Sequence, residues 1–250
     1  MNVYRSINFI NQSSCKGLAV LIDPDNLPSK VEFDDMLQQI NKNDVDFIFV
    51  GGSLTVKNNF NDTIKYIKAK TTIPVVIFPG SIDQLSPHAD ALLFLSLISG
   101  RNPELLIGNQ VITAPKIRAM DLEAISTGYL LISGGSLTTA NYMSNTLPIP
   151  NNKPEIAMAT AIAGEMLGLK CMYMDAGSGA DHPISEEIIQ KVKQNTSTPL
   201  IIGGGIKNSQ QAEKAWIAGA DIVVIGTAFE KNKNILLEIS KRKKTLSVQA

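Results

Sequence analysis

The stretch PLIIGGGIKNSQQAEKAWIAGADIVVIGTAF, residues 199–229, decides the fold. It holds two short apolar runs, Leu200–Ile202 and Ile222–Ile225. Each ends in glycine, Gly203-Gly204-Gly205 after the first and Gly226-Thr227 after the second. Between them lies a helix-length segment with Asn208 or Ser209 as N-cap, Gln211 at capping-box spacing and Gly219 as its stop. The order is strand, glycine loop, helix, strand, glycine loop. Glycines there let backbone N–H groups close on an anion, and the helix start beyond them adds a favourable dipole. Paired loops after the last two strands of an eight-stranded α/β barrel are a frequent phosphate site. A competing reading, that these glycines only turn the chain sharply, is weaker for two consecutive turns than for one.

Outward from that stretch the same alternation continues. Leu18–Ile22 is apolar on both faces, as a parallel strand covered on each side is, and runs into Asp23-Pro24-Asp25. A helix follows over about Ser29 to Asn41, then a strand Phe47–Val50 ending in Gly51-Gly52-Ser53 and a helix over roughly Val56 to Lys70. Strand three is Val75–Phe78 and strand four, Ala91–Leu95, comes so soon after Pro79-Gly80 and Pro87 that the third helix is expected to be missing or replaced by an extended segment. Helices are predicted from Pro103 and around Lys116–Ile125, with strand five at Tyr129–Ile132. A Gly/Ser/Thr/Asn-rich loop, Gly134 to Pro150, leads to a helix near Lys153–Leu167 and strand six, Cys171–Met174. A helix starting near Ser185, the opening stretch and a last helix over about Asn234–Lys243 complete the count. With no linker or low-complexity tract, residues 1–250 read as a single (β/α)8 barrel.

Composition narrows the function. Lysine plus arginine equals aspartate plus glutamate at 23 each, which argues against a nucleic-acid partner. Apolar residues make up 44%, enough for a large core without metal or disulfide support. Cys15 and Cys171 form no disulfide framework, and Cys171 sits in an apolar run, so it is expected reduced and buried. The opening MNVYRSINFINQSSCKG lacks a signal peptide's apolar region, and no run approaches the ~20 residues that cross a bilayer. A cytoplasmic protein is expected, whose dealings with lipid happen at a surface or in a pocket.

In a barrel of this kind the strand ends converge on one mouth. Strand one brings Asp23 and Asp25, strand two Ser53, strand six Tyr173 and Asp175 with Gly177 to Gly179, and strands seven and eight the glycine loops. Magnesium is a hard ion held by one or two carboxylates plus substrate phosphates, and Asp23 with Ser53 matches that economy. Asp-Pro-Asp alone would read as a polar turn; opposite a phosphate cradle it reads as a metal site. Two phosphate-bearing groups point to a transferase joining a small phosphate to a diphosphate. Prenyl transfer fits, with Asp175 as general base toward an attacking alcohol, against the plainer role of capping its own loop.

Seven segments carry a family resemblance: LIDPDN (residues 21–26), GGS (51–53), SGRNP (99–103), TGYLLI (127–132), YMDAGSGA (173–180), IIGGGI (201–206) and IGTAF (225–229). Together, in order and over nearly the whole chain, they resemble the geranylgeranylglyceryl phosphate synthase family, whose other branch makes heptaprenylglyceryl phosphate. GGGI alone is weak; the YxxAGSGA pattern combined with LIDPD is specific. The resemblance implies a magnesium-dependent transfer of a prenyl group from its diphosphate to the 3-hydroxyl of sn-glycerol 1-phosphate, giving an ether-lipid precursor. It implies Asp23 and Ser53 as magnesium ligands. It also implies a glycerol-phosphate site of Tyr173, Met174, Asp175, Ala176, Gly177, Ser178, Gly179, Gly204, Gly205, Gly226 and Thr227. The family usually carries glutamate where this chain has Asp175, which sets the base about one methylene further back. Some members place a lysine where Leu21 stands here. The IDPD form resembles the larger, oligomeric branch, and a homo-oligomer, dimer or hexamer, is implied.

A prenyl tail needs an apolar groove, for which Leu93, Phe94, Leu97, Ile98, Leu105, Leu106 and Ile107 are candidates against the default of ordinary core. Arg101 suits diphosphate oxygens as a guanidinium fork, with a solvated loop arginine as the alternative. His88 and His182 are expected at the surface, and Trp216 in core or subunit packing. Lys241-Arg242-Lys243-Lys244 suits the end of a helix and is also the stretch through which peripheral contact with anionic lipid would run. Two other classes stay open: another phosphate-binding barrel enzyme, such as a sugar-phosphate isomerase or a thiamine-phosphate-type synthase, and a barrel that binds a phosphometabolite without catalysis.

Overall fold

The apolar runs become eight parallel strands because each is buried on both faces. In the computed structural model, which describes residues 2–13 and 15–248, they close in sequence order with β8 returning to β1. The strands are β1 (Gly17–Ile22), β2 (Phe47–Val50), β3 (Val75–Ile77), β4 (Ala91–Leu97), β5 (Glu123–Leu131), β6 (Cys171–Asp175), β7 (Leu200–Gly203) and β8 (Ile222–Ile225). Alternate residues serve two separate cores. Ala19, Phe47, Phe49, Leu93, Tyr173 and Val224 fill the barrel interior. Their neighbours, such as Val20, Ile48, Val50, Leu92, Met174 and Val223, pack outward against the helices.

The helices are α1 (Val3–Gln12), α2 (Lys30–Lys42), α3 (Phe60–Lys68), α4 (Asn109–Ala119), α5 (Thr139–Ser144), α6 (Pro154–Met166), α7 (Glu186–Asn195), α8 (Ser209–Ala218), α9 (Thr227–Lys231) and α10 (Ile235–Val248). No helix among the described residues is long and apolar enough to cross a membrane. The expectation for the third crossover is met: residues 78–90 form turns and extended chain with no helix. Around the deciding stretch, Asn208 caps α8 by accepting from the Gln211 N–H, and Gly219 closes the helix at φ 120°. Trp216 is core, its indole N–H donating to the Gly17 carbonyl at 3.1 Å. Cys171 is buried, and His88 and His182 are exposed.

Four local readings need correction. The helix expected around Lys116–Ile125 does not exist as such. A wide turn of π geometry, Glu104–Gly108, runs into α4, which stops before Asp121, a residue at φ 51°. Strand five then begins at Glu123, because residues 123–129 pair with all of β4 from Ala91 to Leu97. Helix α3 starts at Phe60 rather than Val56; the Val56 and Lys57 N–H groups belong to the loop before it and are held by the Asp25 carboxylate at 2.5 and 3.2 Å. The loop after β5 contains a short helix, α5, closed at its N-terminus by the Thr138–Asn141 capping box. The opening stretch, counted among the elements, forms α1, whose Val3, Ile7 and Ile10 plug the bottom of the barrel interior. Its start is fixed by Glu123, whose carboxylate accepts the Val3 and Tyr4 N–H groups at 2.7 and 2.9 Å, where a negative charge complements the helix dipole.

Candidate active site

All eight strands run the same way, so the loops after β1, β2, β6, β7 and β8 meet at one mouth. On one side lie three glycine loops. The Ser178 and Thr227 hydroxyls are 3.1 Å apart, so the loops after β6 and β8 touch. Gly204 sits at φ 78°, and a side chain there would come within 2.5 Å of the Gly177 nitrogen and 2.6 Å of Asp175 Oδ1. Only glycine lets the loop after β7 press this closely on the loop after β6. Gly203 has a different reason to be glycine: a Cβ there would lie 2.5 Å from the Tyr173 hydroxyl. Among the described residues, the N–H groups of Ser178, Gly179, Gly204, Gly205 and Thr227 make no hydrogen bond within the chain. Free N–H groups converging at the start of a strand-end loop are an anion cradle.

Asp175 closes the strand beneath this cradle. It is 7% exposed, and its carboxylate accepts the Tyr129 hydroxyl at 2.6 Å on Oδ2 and the Gly177 N–H at 2.7 Å on Oδ1. Burial raises its pKa above the usual carboxylate value, against the pull of those two hydrogen bonds. The rings below it form one cluster: Tyr173 stacks on Phe78 with centroids 4.6 Å apart, and Tyr129 meets each of them edge-on at 5.7 Å. Burial, and after it the Asp175 carboxylate, pushes both phenols well above their usual range.

Across the mouth, Asp23 caps the short 3-10 turn Pro24–Asn26. Its Oδ1 accepts the Asp25 N–H at 2.9 Å and its Oδ2 the Asn26 side-chain amide at 2.6 Å. A Cβ on Gly52 would lie 3.2 Å from Asp23 Oδ1, which puts the Gly52-Ser53 corner beside the carboxylate. That corner is held by Gln84, which comes from the crossover without a helix. Buried, it donates to the Gly52 carbonyl at 2.8 Å and accepts from the Gly80 N–H at 3.0 Å. Glu230 on α9, at the surface, also reaches this side: partial desolvation of its carboxyl, and next the Asp23 carboxylate, raises its pKa. Among the described residues no three metal-ligating side chains cluster, so a cation here needs oxygens from substrate or water. Oxygen-only donors from one carboxylate and one hydroxyl suit a hard divalent ion bound in that manner.

Several expected residues take other positions. Met174 and Ala176 turn their side chains into the layer between barrel and helices, leaving only their backbone at the mouth. Arg101 folds back, donating to the Ile98 and Gly100 carbonyls at 3.2 and 2.6 Å. It borders an apolar groove of about 610 Å³ between the Ile98–Leu106 segment and α6, lined by Ile98, Leu106, Ile156, Ala163 and Leu167. Leu93 is barrel interior and does not reach that groove. In the basic run, Lys243 is buried on Asp44 and Asp46 and Arg242 meets Glu213 at 3.3 Å, which leaves Lys241 and Lys244 exposed. Tyr129, Gln84 and Glu230 were not singled out from sequence. Tyr129 lies within the TGYLLI segment and Glu230 directly follows IGTAF, so position offered a hint for these two; nothing local marks Gln84.

The PcrB family model matches residues 15–243. The geranylgeranylglyceryl phosphate synthase of Chitinophaga pinensis is 49% identical over 238 residues, covering 95% of this chain and 94% of that protein. Among solved structures, (S)-3-O-geranylgeranylglyceryl phosphate synthase from Thermoplasma acidophilum, in complex with substrate sn-glycerol-1-phosphate, superposes with a TM-score of 0.91 at 33% identity. That match covers 98% of this chain and 99% of the other. Thiamine phosphate pyrophosphorylase from Pyrococcus furiosus superposes with a TM-score of 0.58 at 14% identity, over 94% of this chain and 98% of that one, and shares the fold alone.

Proposed function

The chain belongs to the PcrB family, and on that premise we propose that it works as a prenyltransferase, moving a geranylgeranyl or similar prenyl group from its diphosphate to the 3-hydroxyl of sn-glycerol 1-phosphate. The observation that carries this reading is the glycine cradle packed directly on a buried carboxylate, through Gly204 against Gly177 and Asp175. The cradle's free N–H groups take the glycerol phosphate, with Ser178 and Thr227 adding hydroxyls at its rim. Asp175 takes the proton of the 3-hydroxyl as the oxygen bonds to the allylic carbon. The carbon–oxygen bond to the diphosphate breaks, and the diphosphate leaves with its electron pair. Asp23 and Ser53 would hold magnesium, which when bound supplies positive charge to the oxygens of the leaving diphosphate.

The groove of about 610 Å³ beside Arg101 supports a place for the tail outside the barrel interior, with Arg101 free to turn from its carbonyls toward diphosphate oxygens. Val111 and Met166 are apolar and largely exposed, which supports a homo-oligomer that covers them.

The test is incubation of the protein with magnesium, sn-glycerol 1-phosphate and labelled geranylgeranyl diphosphate, followed by organic extraction. Labelled product is expected with this glycerol phosphate and not with its mirror image. Absence of extractable product at every prenyl length ends the reading. For the metal side, Asp23→Asn is expected to abolish turnover while leaving glycerol 1-phosphate binding, measured by calorimetry, largely intact; equal loss of both removes Asp23 as a ligand.

A further inference from the structure

We propose that Tyr129 is the positioning residue for the base: its hydroxyl, 2.6 Å from Asp175 Oδ2, fixes the carboxylate's plane and keeps it able to accept the substrate's proton. The proposal rests on Asp175 being the base. Strand register explains how the two meet. Tyr129 pairs with Tyr173, and Asp175 stands two residues further up β6, opposite Leu131. Two residues of strand rise about 6.6 Å, a gap that a phenol on β5 can bridge and that a short polar side chain there cannot. Edge contacts with Phe78 and Tyr173 hold the Tyr129 ring in place, so its hydroxyl arrives from a fixed direction.

An aspartate needs such a partner. With Oδ1 on the Gly177 N–H and Oδ2 on the Tyr129 hydroxyl, both carboxylate oxygens are fixed, and each retains a lone pair for a substrate hydroxyl. Burial disfavours the ionised form that a base requires, and the two hydrogen bonds offset part of that penalty. Asp175 makes no ion pair among the described residues, so no cation does this work instead. The titratable groups facing it are Tyr129 from β5 and Tyr173 from its own strand, both phenols held neutral. Gly203-Gly204 from β7 and Thr138 against Gly177 bring no charge. Between acid and mildly alkaline pH, Asp175 is therefore the group at this spot that titrates.

Tyr129→Phe keeps the ring and removes the hydroxyl. The test is the pH profile of kcat/KM for product formation in the full chain, run beside Asp175→Asn. Loss of a hydrogen bond to a charged group is expected to move the acidic limb up by about one to two pH units. On the acid side of both limbs turnover then falls by about ten- to a hundredfold, and the difference closes as pH rises past the new limb, while KM for glycerol 1-phosphate changes little. An acidic limb that stays where it was, with turnover lost in Asp175→Asn, overturns the role of Tyr129 alone. Undiminished turnover in Asp175→Asn overturns the base itself, and this inference with it. Should Tyr129→Phe not fold, the unaltered protein gives the same answer. The Tyr129 hydroxyl proton, assigned by its changed position in Asp175→Asn, where a neutral amide oxygen replaces the carboxylate, is expected to shift in NMR spectra over the pH range of the acidic limb. A resonance indifferent to that range overturns the proposal.

Discussion

The two ends of this barrel both carry aspartates, and keep them in opposite company. At the bottom, Asp46, Asp90 and Asp221 each stand just before a strand and accept an N–H from the beginning of the previous one: Leu18, Val75 and Leu200, all at 2.7 Å. Each also pairs with a lysine, Lys243 at 2.6 Å, Lys68 at 2.7 Å and Lys193 at 2.6 Å. One carboxylate thus locks strand register and has its charge cancelled by a helix on the outside. At the mouth, Asp23 and Asp175 accept only from neutral donors: backbone N–H groups, the Asn26 amide and the Tyr129 phenol. A compensated charge stabilises the fold and is spent; an uncompensated one is costly to keep and free to meet a proton or a cation. The division follows the barrel's own polarity, bottom for stability and strand ends for chemistry.

The largest effect that would sharpen this contrast is at Asp175. Asp175→Asn is expected to lower turnover by about 10²–10⁴-fold, the usual contribution of a general base, while raising stability at neutral pH. The sign follows from burial, which holds the native pKa above the ordinary carboxylate value. The fold therefore favours the protonated acid, whose contribution is present at low pH and is lost as pH rises through the raised native value. Asparagine stays neutral throughout. The melting-temperature advantage of Asp175→Asn over the unaltered protein is expected to be smallest in acid and to grow toward neutral pH. An advantage that shrinks as pH rises would mean that the fold favours the ionised form of the Asp175 carboxylate, and its place among the uncompensated charges would be lost.

How much of this is legible in the sequence follows from the range over which each signal acts. Gly204, Gly205 and Gly226-Thr227 announce themselves because tight loops impose a local backbone requirement, and Gly204 at φ 78° meets it. Asp23 and Asp175 stand next to strand ends, so their place at the mouth follows from topology alone. Tyr129 acquires its role from a residue on the next strand, 46 positions away, and Gln84 from Gly52, 32 positions away. No local pattern carries such pairings. The same limit produced the misplaced helix at Lys116–Ile125: residues 123–125 join a strand because β4 offers them partners, a tertiary preference that overrides helical spacing. Helix α1 is the opposite case, since Val3, Ile7 and Ile10 show helical spacing in the sequence itself.

A second test breaks the bottom. Asp221→Ala removes the acceptor for the Leu200 N–H and leaves Lys193 facing a site that was 6% exposed on its acidic side. Breaking a buried pair from one side costs about 3–5 kcal/mol; with the lysine itself partly in solvent, about 2–4 kcal/mol is expected here. The measurement is denaturant unfolding, with turnover per folded molecule unchanged under conditions where both proteins are native. Turnover that falls in the folded variant would mean that the bottom aspartates reach the chemistry, and the division between the two ends would not hold.

The smallest expected effect guards against the idea that ion pairs as such do the stabilising. Lys214 meets Glu186 at 3.0 Å between α8 and α7, as close as a good hydrogen bond, yet both side chains are more than half exposed. Neither carboxylate oxygen of Glu186 accepts a strand N–H, and water solvates both ends when the pair is broken. Lys214→Ala is expected to change unfolding free energy by less than about 0.5 kcal/mol, and that difference should fade in molar salt, where screening acts within about 3 Å. Asp221→Ala should keep most of its cost in the same salt, because its carboxylate is out of reach of the ions. If both variants lost equal stability, and lost it to salt equally, the bottom aspartates would be ordinary surface pairs and their contrast with Asp23 and Asp175 would reduce to charge count.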